Sequence, residues 1–471
     1  MSRLAKNKKV IMLLLGIFTF LFLIFPLSYG ITNIRMVIIL TPFLFLGIYI
    51  LNKIKIREKY YIWIILLLAL VTRVGVVLLL NSRVVQVSDF AVALNNSFEL
   101  KFVGDYYKVF THWILYPVIT NFVYKIFGSS QLVALLLNAV ILVLSSCLIY
   151  KLAYLLFNNK KCGFYAAMLY ILWPANILYT LIYTQEHFCT LLLLIVLYLF
   201  FKNEKSGKLA RSNIISLILI GVLLGISTFF KNFAPVFIIA FLIFYILKFL
   251  SLSKINNFIL VKFISIVLIV ISYSVSKNVV FSFIDNLVGD KVARNIIPCY
   301  LNVGLRDNGT YSDYNYGMYF NTLKDNDYDY EKTNSIVMNN LIDDQKDVLS
   351  LKFFSEKAKI LFGGDFARMT WVQATLVLDS TNINIINISK LNSGYFCILI
   401  IFMFLGLIYM NKLKNLDLFL LYLIFYGSFL LLLLVEAQNR YMYAIQFIMC
   451  ILAVGGINYM LDIIKRSGGR V

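Results

Sequence analysis

Residues 61–100 read "YIWIILLLALVTRVGVVLLLNSRVVQVSDFAVALNNSFEL". The first twenty are apolar apart from Thr72 and Arg73 and have the length that spans the ~30 Å hydrocarbon core of a bilayer. The next twenty turn polar and carry a carboxylate, Asp89, in Ser88-Asp89-Phe90. A chain poor in charge that places an acid just past a membrane-length run gives that acid a job other than solubility.

Composition extends the reading to the whole chain. Of 471 residues, 61% are hydrophobic and 14% charged, with mean hydropathy +0.84. Soluble domains are roughly 45–50% apolar and ~25% charged, so a large soluble core is excluded. Segments of span length fall at roughly 10–28, 33–51, 61–80, 130–150, 163–181, 184–201, 213–230, 233–250, 257–280, 394–411, 416–435 and 441–461. The expected fold is an all-α polytopic membrane protein of about twelve transmembrane helices. The 31 Tyr and 40 Phe suit aromatic belts at the two interfaces. The N-terminus, "MSRLAKNKKVIMLLLGIFTFLFLIF", lacks a small-residue cleavage site and reads as a retained first span.

Net charge is +20. In a soluble protein this would suggest nucleic acid, but here the basic residues sit in alternate loops, such as "NKIKIREK" and "FKNEKSGKLARSN". That is the positive-inside pattern. Both termini then face the cytoplasm, nucleic acid is not a partner, and two long connections fall on the outer face. The chain divides into an N-terminal transmembrane module, 1–280, containing the first outer loop, 81–129; an extracytoplasmic cap, 281–392; and C-terminal transmembrane helices, 393–471. In the first loop, "HWILYPVITNFVYKIFG" reads as an interfacial helix. In the second, residues 331–362 have helical spacing of apolar residues. The Lys-, Ile- and Asn-rich usage points to an AT-rich bacterial genome, and the expected location is the bacterial cytoplasmic membrane.

Six scattered cysteines form no CxxC pair and no disulfide framework, and two histidines are too few for a histidine-rich metal site. Nothing calls for a resident cofactor; a divalent metal is left open. "DNDYDYE", 325–331, opens like a calcium loop, but Tyr330 and Ile336 stand where Gly and Glu are required. Tyr311, Tyr314, Tyr316 and Tyr319 suit either sugar stacking or, preferably, packing onto the membrane interface. Lys277 reads as a snorkelling lysine.

The remaining polar residues gather at the outer ends of the spans. Ionisable groups in membrane segments are costly and mark function. Asp89 fits two roles, general base or helix cap. Glu186 and His187 are acid/base or acceptor-binding candidates, although adjacent residues do not share a helix face. Arg73, Lys231 and Arg440 are candidates for an anionic donor phosphate. Glu436 is a supporting acid, or pairs with Arg440 across one helical turn.

Six stretches, in order, resemble a family: "VSDFAVALNN", "YPVITNFVYKIFG", "YILWPANILYTLIYTQEHF", "LGISTFFKNFAP", "YLNVGLRDNGTYSDYN" and "EAQNRYMYAIQF". Together they resemble the GT-C superfamily of membrane glycosyltransferases, in the branch of protein O-mannosyltransferases and aminoarabinose transferases (glycosyltransferase family 39). The resemblance implies a sugar donor linked to a polyprenyl phosphate such as undecaprenyl phosphate. It also implies an envelope acceptor (polymer, lipid or protein) and a site on the outer face in contact with membrane lipid. It implies Asp89 as the base. It places Lys231 where relatives often carry Arg, and Phe90 where they often carry a second acid; Asp105 is the substitute candidate for that acid. A polysaccharide polymerase or ligase is the runner-up, though residues 281–392 contain no His. A lipid-linked sugar flippase comes third.

Overall fold

The computed structural model describes residues 15–17, 19–21, 24, 31–53, 56–206, 211–250, 258–344, 350–363, 366–377, 385–413 and 417–468. Among them the chain is helical throughout, with one isolated antiparallel bridge, Val84 to Leu376. In chain order the helices are α1 (Ile31–Lys53), α2 (Tyr61–Leu80), α3 (Ser88–Glu99), α4 (Asp105–Val109), α5 (Leu115–Phe127), α6 (Gln131–Phe157), α7 (Lys160–Ile171) and α8 (Pro174–Leu178). Next come α9 (Glu186–Ser206), α10 (Arg211–Ser227), α11 (Ala234–Leu250) and α12 (Phe258–Val288). The cap carries α13 (Ile297–Gly304), α14 (Asp313–Asp325), α15 (Tyr330–Asp344), α16 (Leu351–Phe362) and α17 (Phe366–Thr375). The chain closes with α18 (Ile385–Leu413), α19 (Asp417–Leu434) and α20 (Phe447–Gly468).

Seven described helices are long and apolar enough to cross a membrane, and a bent pair makes eight. Three more apolar helices, Ile34–Ile48, Arg211–Ser227 and Ala234–Phe249, are shorter. The first expected span, 10–28, lies largely outside the described residues. The fold class therefore stands, whereas the full count of twelve is not reached by length alone.

The bent pair replaces the expected straight span at 163–181. Helices α7 and α8 meet at 65°, with Trp173-Pro174 at the break. Proline lacks the N–H that would continue α7, yet suits the first turn of α8. The freed backbone groups must be met by protein, because lipid offers no partners. Arg73 Nη2 donates to Tyr170 O (3.1 Å) at the end of α7. Asn392 Oδ1 accepts from Trp173 Nε1 (2.9 Å) and from Ala175 N (3.1 Å) at the start of α8.

Helices in lipid gain little from hydrophobic burial against one another, so they associate where small residues let backbones approach. Helix α10 carries Gly221 and Gly225, four apart, against Ser272 and Ser276 of α12. A Cβ on Gly225 would meet Tyr273 O at 2.8 Å. Gly406 of α18 and Gly456 of α20 make a second close seam, where a Cβ on Gly406 would meet Leu452 O at 2.7 Å. Helix α18 lies deep, with 72% of its core window buried, whereas α12 buries only 11% and turns its remaining apolar surface outward.

The expected helix in the first loop is α5, which buries Tyr116, Thr120 and Tyr124 and exposes Phe122, Ile126 and Phe127. The helical pattern at 331–362 resolves into α15 and α16.

Candidate active site

The segment before α3 is tied down at several points. Val85 N donates to Thr375 O and Val377 N to Arg83 O, each at 2.9 Å, joining the first loop to the cap. Buried Gln86 donates to Leu181 O (2.7 Å) and accepts from Tyr183 N (3.0 Å). Because Tyr183 lies three residues before Glu186, this one side chain fixes the approach to α3 relative to the start of α9.

Helix α3 begins at Ser88, with Val87 as its cap residue and no side-chain capping bond. The alternative role for Asp89, as the cap itself, is thereby corrected. Asp89 sits in the first turn, partly exposed, and Oδ1 accepts from Tyr106 Oη at 3.1 Å. Phe90 is fully buried and packs edge-on against Trp113 and Trp371. The Arg440 guanidinium lies 4.9 Å from the ring centres of both Phe90 and Trp371. An acid at position 90 would meet Arg440 directly; here an aromatic face supports it instead.

Arg440 and Glu436 do not form a helical i, i+4 pair. Residues 436–438 are non-helical, and a 3₁₀ turn, Asn439–Ile445, follows. Gln438 bridges the two: Nε2 donates to Glu436 Oε1, and Oε1 accepts from Arg440 Nε at 2.8 Å. The other oxygen of Glu436 accepts from Tyr316 Oη of the cap at 2.6 Å.

Glu186 is buried at the start of α9, accepting from Tyr179 Oη (3.1 Å) and facing Lys231 Nζ at 3.7 Å. Lys231 lies in the turn between α10 and α11, 3.7 Å above the Tyr441 ring centre. Burial lowers its pKa, opposed by Glu186. His187 parts from Glu186 as adjacency predicts. It is fully buried, with Nδ1 at 2.8 Å from Tyr443 Oη and Nε2 at 3.3 Å from Ile182 O.

Asp89, Glu186, Lys231, Glu436 and Arg440 therefore converge. Arg73 lies deeper, at the α7 break, with Nε and Nη1 unpartnered. Asp105 is elsewhere too: its Oδ2 accepts from Tyr328 Oη (2.9 Å), joining the first loop to the cap. Lys277 lies over the Phe281 ring on α12. Among the described residues no group of three metal-type side chains forms.

Sequence reasoning missed several members. His112, half-buried on a 3₁₀ turn, lies 3.5 Å from Tyr300 Oη through Nδ1. Burial, helped by Lys231 and Arg440, pushes its pKa down to about 3 and keeps the imidazole neutral. Tyr106, Tyr441 and Arg368 were also unforeseen; Arg368 is fully buried, donates to Asn176 and faces the rings of Trp173 and Tyr443. The tyrosine cluster splits. Tyr319 is buried, Tyr316 serves Glu436, and Tyr311 and Tyr314 are exposed. Only the chemistry-rich "NRY" stretch offered a signal, and only for Tyr441.

No curated protein matches the chain. Among solved structures it is similar to the Archaeoglobus fulgidus oligosaccharyltransferase in the apo form (14% identity, TM-score 0.48, 87% of this chain and 51% of that one). It is similar to the same enzyme with Zn and sulfate (15%, 0.48, 86% and 49%). A third is archaeal oligosaccharyltransferase AglB from Archaeoglobus fulgidus with an inhibitory peptide and a dolichol-phosphate (12%, 0.46, 88% and 52%). The chain spans about half the length of each of these structures. Residues 111–276, beginning beside His112 and running through Glu186 and Lys231, match the family model of dolichyl-phosphate-mannose-protein mannosyltransferases. Over that segment the chain is similar to this family, and Asp89, Glu436 and Arg440 lie outside the matched residues.

Proposed function

We propose that this chain transfers a sugar from a polyprenyl-phosphate donor to an acceptor hydroxyl at the outer face of the bacterial cytoplasmic membrane. The observation that carries the reading is that buried Arg440 rests on the ring of Phe90, next to the partly exposed carboxylate Asp89, while Lys231 rests on the ring of Tyr441, next to Arg440. The positive-inside pattern supports the outer face and cytoplasmic termini.

The chemistry follows from the charges. The acceptor oxygen attacks the anomeric carbon, and its proton passes to the free oxygen of Asp89, since Oδ1 already accepts from Tyr106. The bond from the anomeric carbon to phosphate oxygen breaks, leaving polyprenyl phosphate. Negative charge grows on that phosphate as it leaves, and Lys231 and Arg440 stabilise it in a site of low dielectric. Neutral His112 donates or accepts a hydrogen bond without adding charge. Glu436 and Glu186 hold the cap and Lys231 in place through Tyr316 and the 3.7 Å pair.

The test is turnover of purified protein with polyprenyl-phosphate sugars and a panel of acceptors. Asp89→Asn is expected to lower kcat by about 100- to 10,000-fold, with donor affinity and thermal midpoint unchanged. Undiminished transfer by the variant overturns the base assignment.

A further inference from the structure

The transferase reading leaves the acceptor open, and the cap side of the site narrows it. Tyr311 is 57% exposed, and its ring lies 5.6 Å from that of Tyr316 at an angle of 40°, so the pair forms an open corner. Both ends of this segment are fastened to the loop that carries Glu436. Ala437 N donates to Gly309 O at 2.7 Å, and Tyr316 Oη donates to Glu436 Oε2 at 2.6 Å. Gly309 itself has φ +70°, and a Cβ there would press on the Lys357 side chain at 2.6 Å. Lys357 is buried under the turn and donates to Gly304 O and to Val435 O (2.7 Å). Tyr311 is thus an exposed ring on a fixed mount.

The charges on its exposed side are carboxylates, while Lys357 beneath the turn spends its donors on backbone carbonyls. Tyr311 Oη donates to Asp313, and Asp307 accepts from Asn315 Nδ2 at 2.8 Å. Asp313 raises the Tyr311 phenol to about 12, with burial next and smaller contributions from Asp89 and Glu436. The nearby cation of this stretch, Arg306, turns to Asp344 (2.7 Å) and Asn302 (2.8 Å). Such a rim repels phosphate and other anions. An aromatic face instead suits the apolar C–H face of a sugar ring, and carboxylates accept hydrogen bonds from its hydroxyls.

We propose that Tyr311 and Tyr316, beside Asp89 and Glu436, form a platform that seats an uncharged carbohydrate as the acceptor. The proposal rests on the transferase reading for the word acceptor, but not for binding itself. Membrane anchoring by Tyr311 is the competing role.

The experiment is binding of uncharged glucose, mannose and N-acetylglucosamine oligomers to the full-length protein in neutral micelles, beside a serine- and threonine-containing peptide. It is followed by transfer assays with the same panel. At least one oligosaccharide is expected to bind, and Tyr311→Ala to weaken it fivefold or more, while Tyr311→Trp retains binding. In turnover, Tyr311→Ala is expected to raise acceptor KM with kcat within about twofold. Glycan binding that depends on Tyr311 without any donor turnover keeps the platform and sinks the transferase reading. Donor turnover with no Tyr311-dependent glycan binding sinks the platform. Binding of the peptide alone, or a Tyr311→Ala effect confined to vesicle association, also overturns it.

Discussion

Helix α9 carries a buried carboxylate near each end, and the two are handled differently. Glu204 accepts from Tyr245 Oη (2.8 Å), Lys248 (2.9 Å) and Lys262, and Lys248 also faces Asp417 at 3.6 Å. Glu186 has one phenol at 3.1 Å and one ammonium at 3.7 Å, beyond hydrogen-bond length. Four elements close around Glu204: α9, α11, α12 and α19. Around Glu186 the cations rest on aromatic faces, Lys231 over Tyr441 and Arg440 over Phe90 and Trp371. Ring faces stabilise a cation without consuming its N–H donors. One network is closed and holds helices together; in the other, the cations rest mainly on rings, as the proposed donor site requires.

The contrast breaks most sharply at Glu204. Glu204→Ala takes the shared carboxylate from Lys248 and Lys262, although Lys248 still faces Asp417, a loss of about 3–5 kcal/mol. A markedly lower thermal midpoint in detergent is expected, with normal turnover per folded molecule. Lost turnover at an unchanged midpoint would reverse the two assignments. At the other end Lys231→Met strands Glu186, and some stability should fall with it. Adding Glu186→Gln is expected to restore the midpoint but leave donor KM raised about tenfold or more. Recovery of donor use by the double variant would make Lys231 a structural residue after all.

A smaller effect sharpens the electrostatics. His112 is neutral in the fold down to about pH 3, whereas an unfolded histidine takes a proton near ~6.5. Between those values the unfolded state binds more protons, so stability rises with pH and is lost as pH falls toward 3. His112→Gln is expected to flatten the slope of thermal midpoint against pH between 4 and 7. An unaltered slope means that other groups set it.

How far the sequence carried depended on the kind of signal. Span-length apolar runs survive in any surroundings, so most helices were legible. The break at Trp173-Pro174 was not, because Arg73 and Asn392 mend it from elements far away in sequence. Asp89, Glu186, Lys231, Glu436 and Arg440 stood out because charge is rare near these spans. Tyr106 and His112 did not, since tyrosine is common in this chain and a lone histidine carries no pattern; Tyr316 was named only as one of a tyrosine cluster, without its carboxylate partner. Lys357 carried no signal of its own in the sequence, and only the tertiary fold buries it. Arg73 looked like a phosphate ligand because its carbonyl partners at Tyr170 and Ile171 belong to a helix end that the pattern concealed.

The two carboxylates of α9 also set a length. From Glu186 to Glu204 the helix rises about 27 Å, close to the ~30 Å thickness of a hydrocarbon core. Both ends are held by side chains from other parts of the chain, which resists sliding of this rod to suit its surroundings. The protein is therefore a gauge for its bilayer: a thicker membrane must thin around it, or draw a charged network inward. Reconstitution in lipids of increasing chain length should show activity peaking at one thickness and falling on either side.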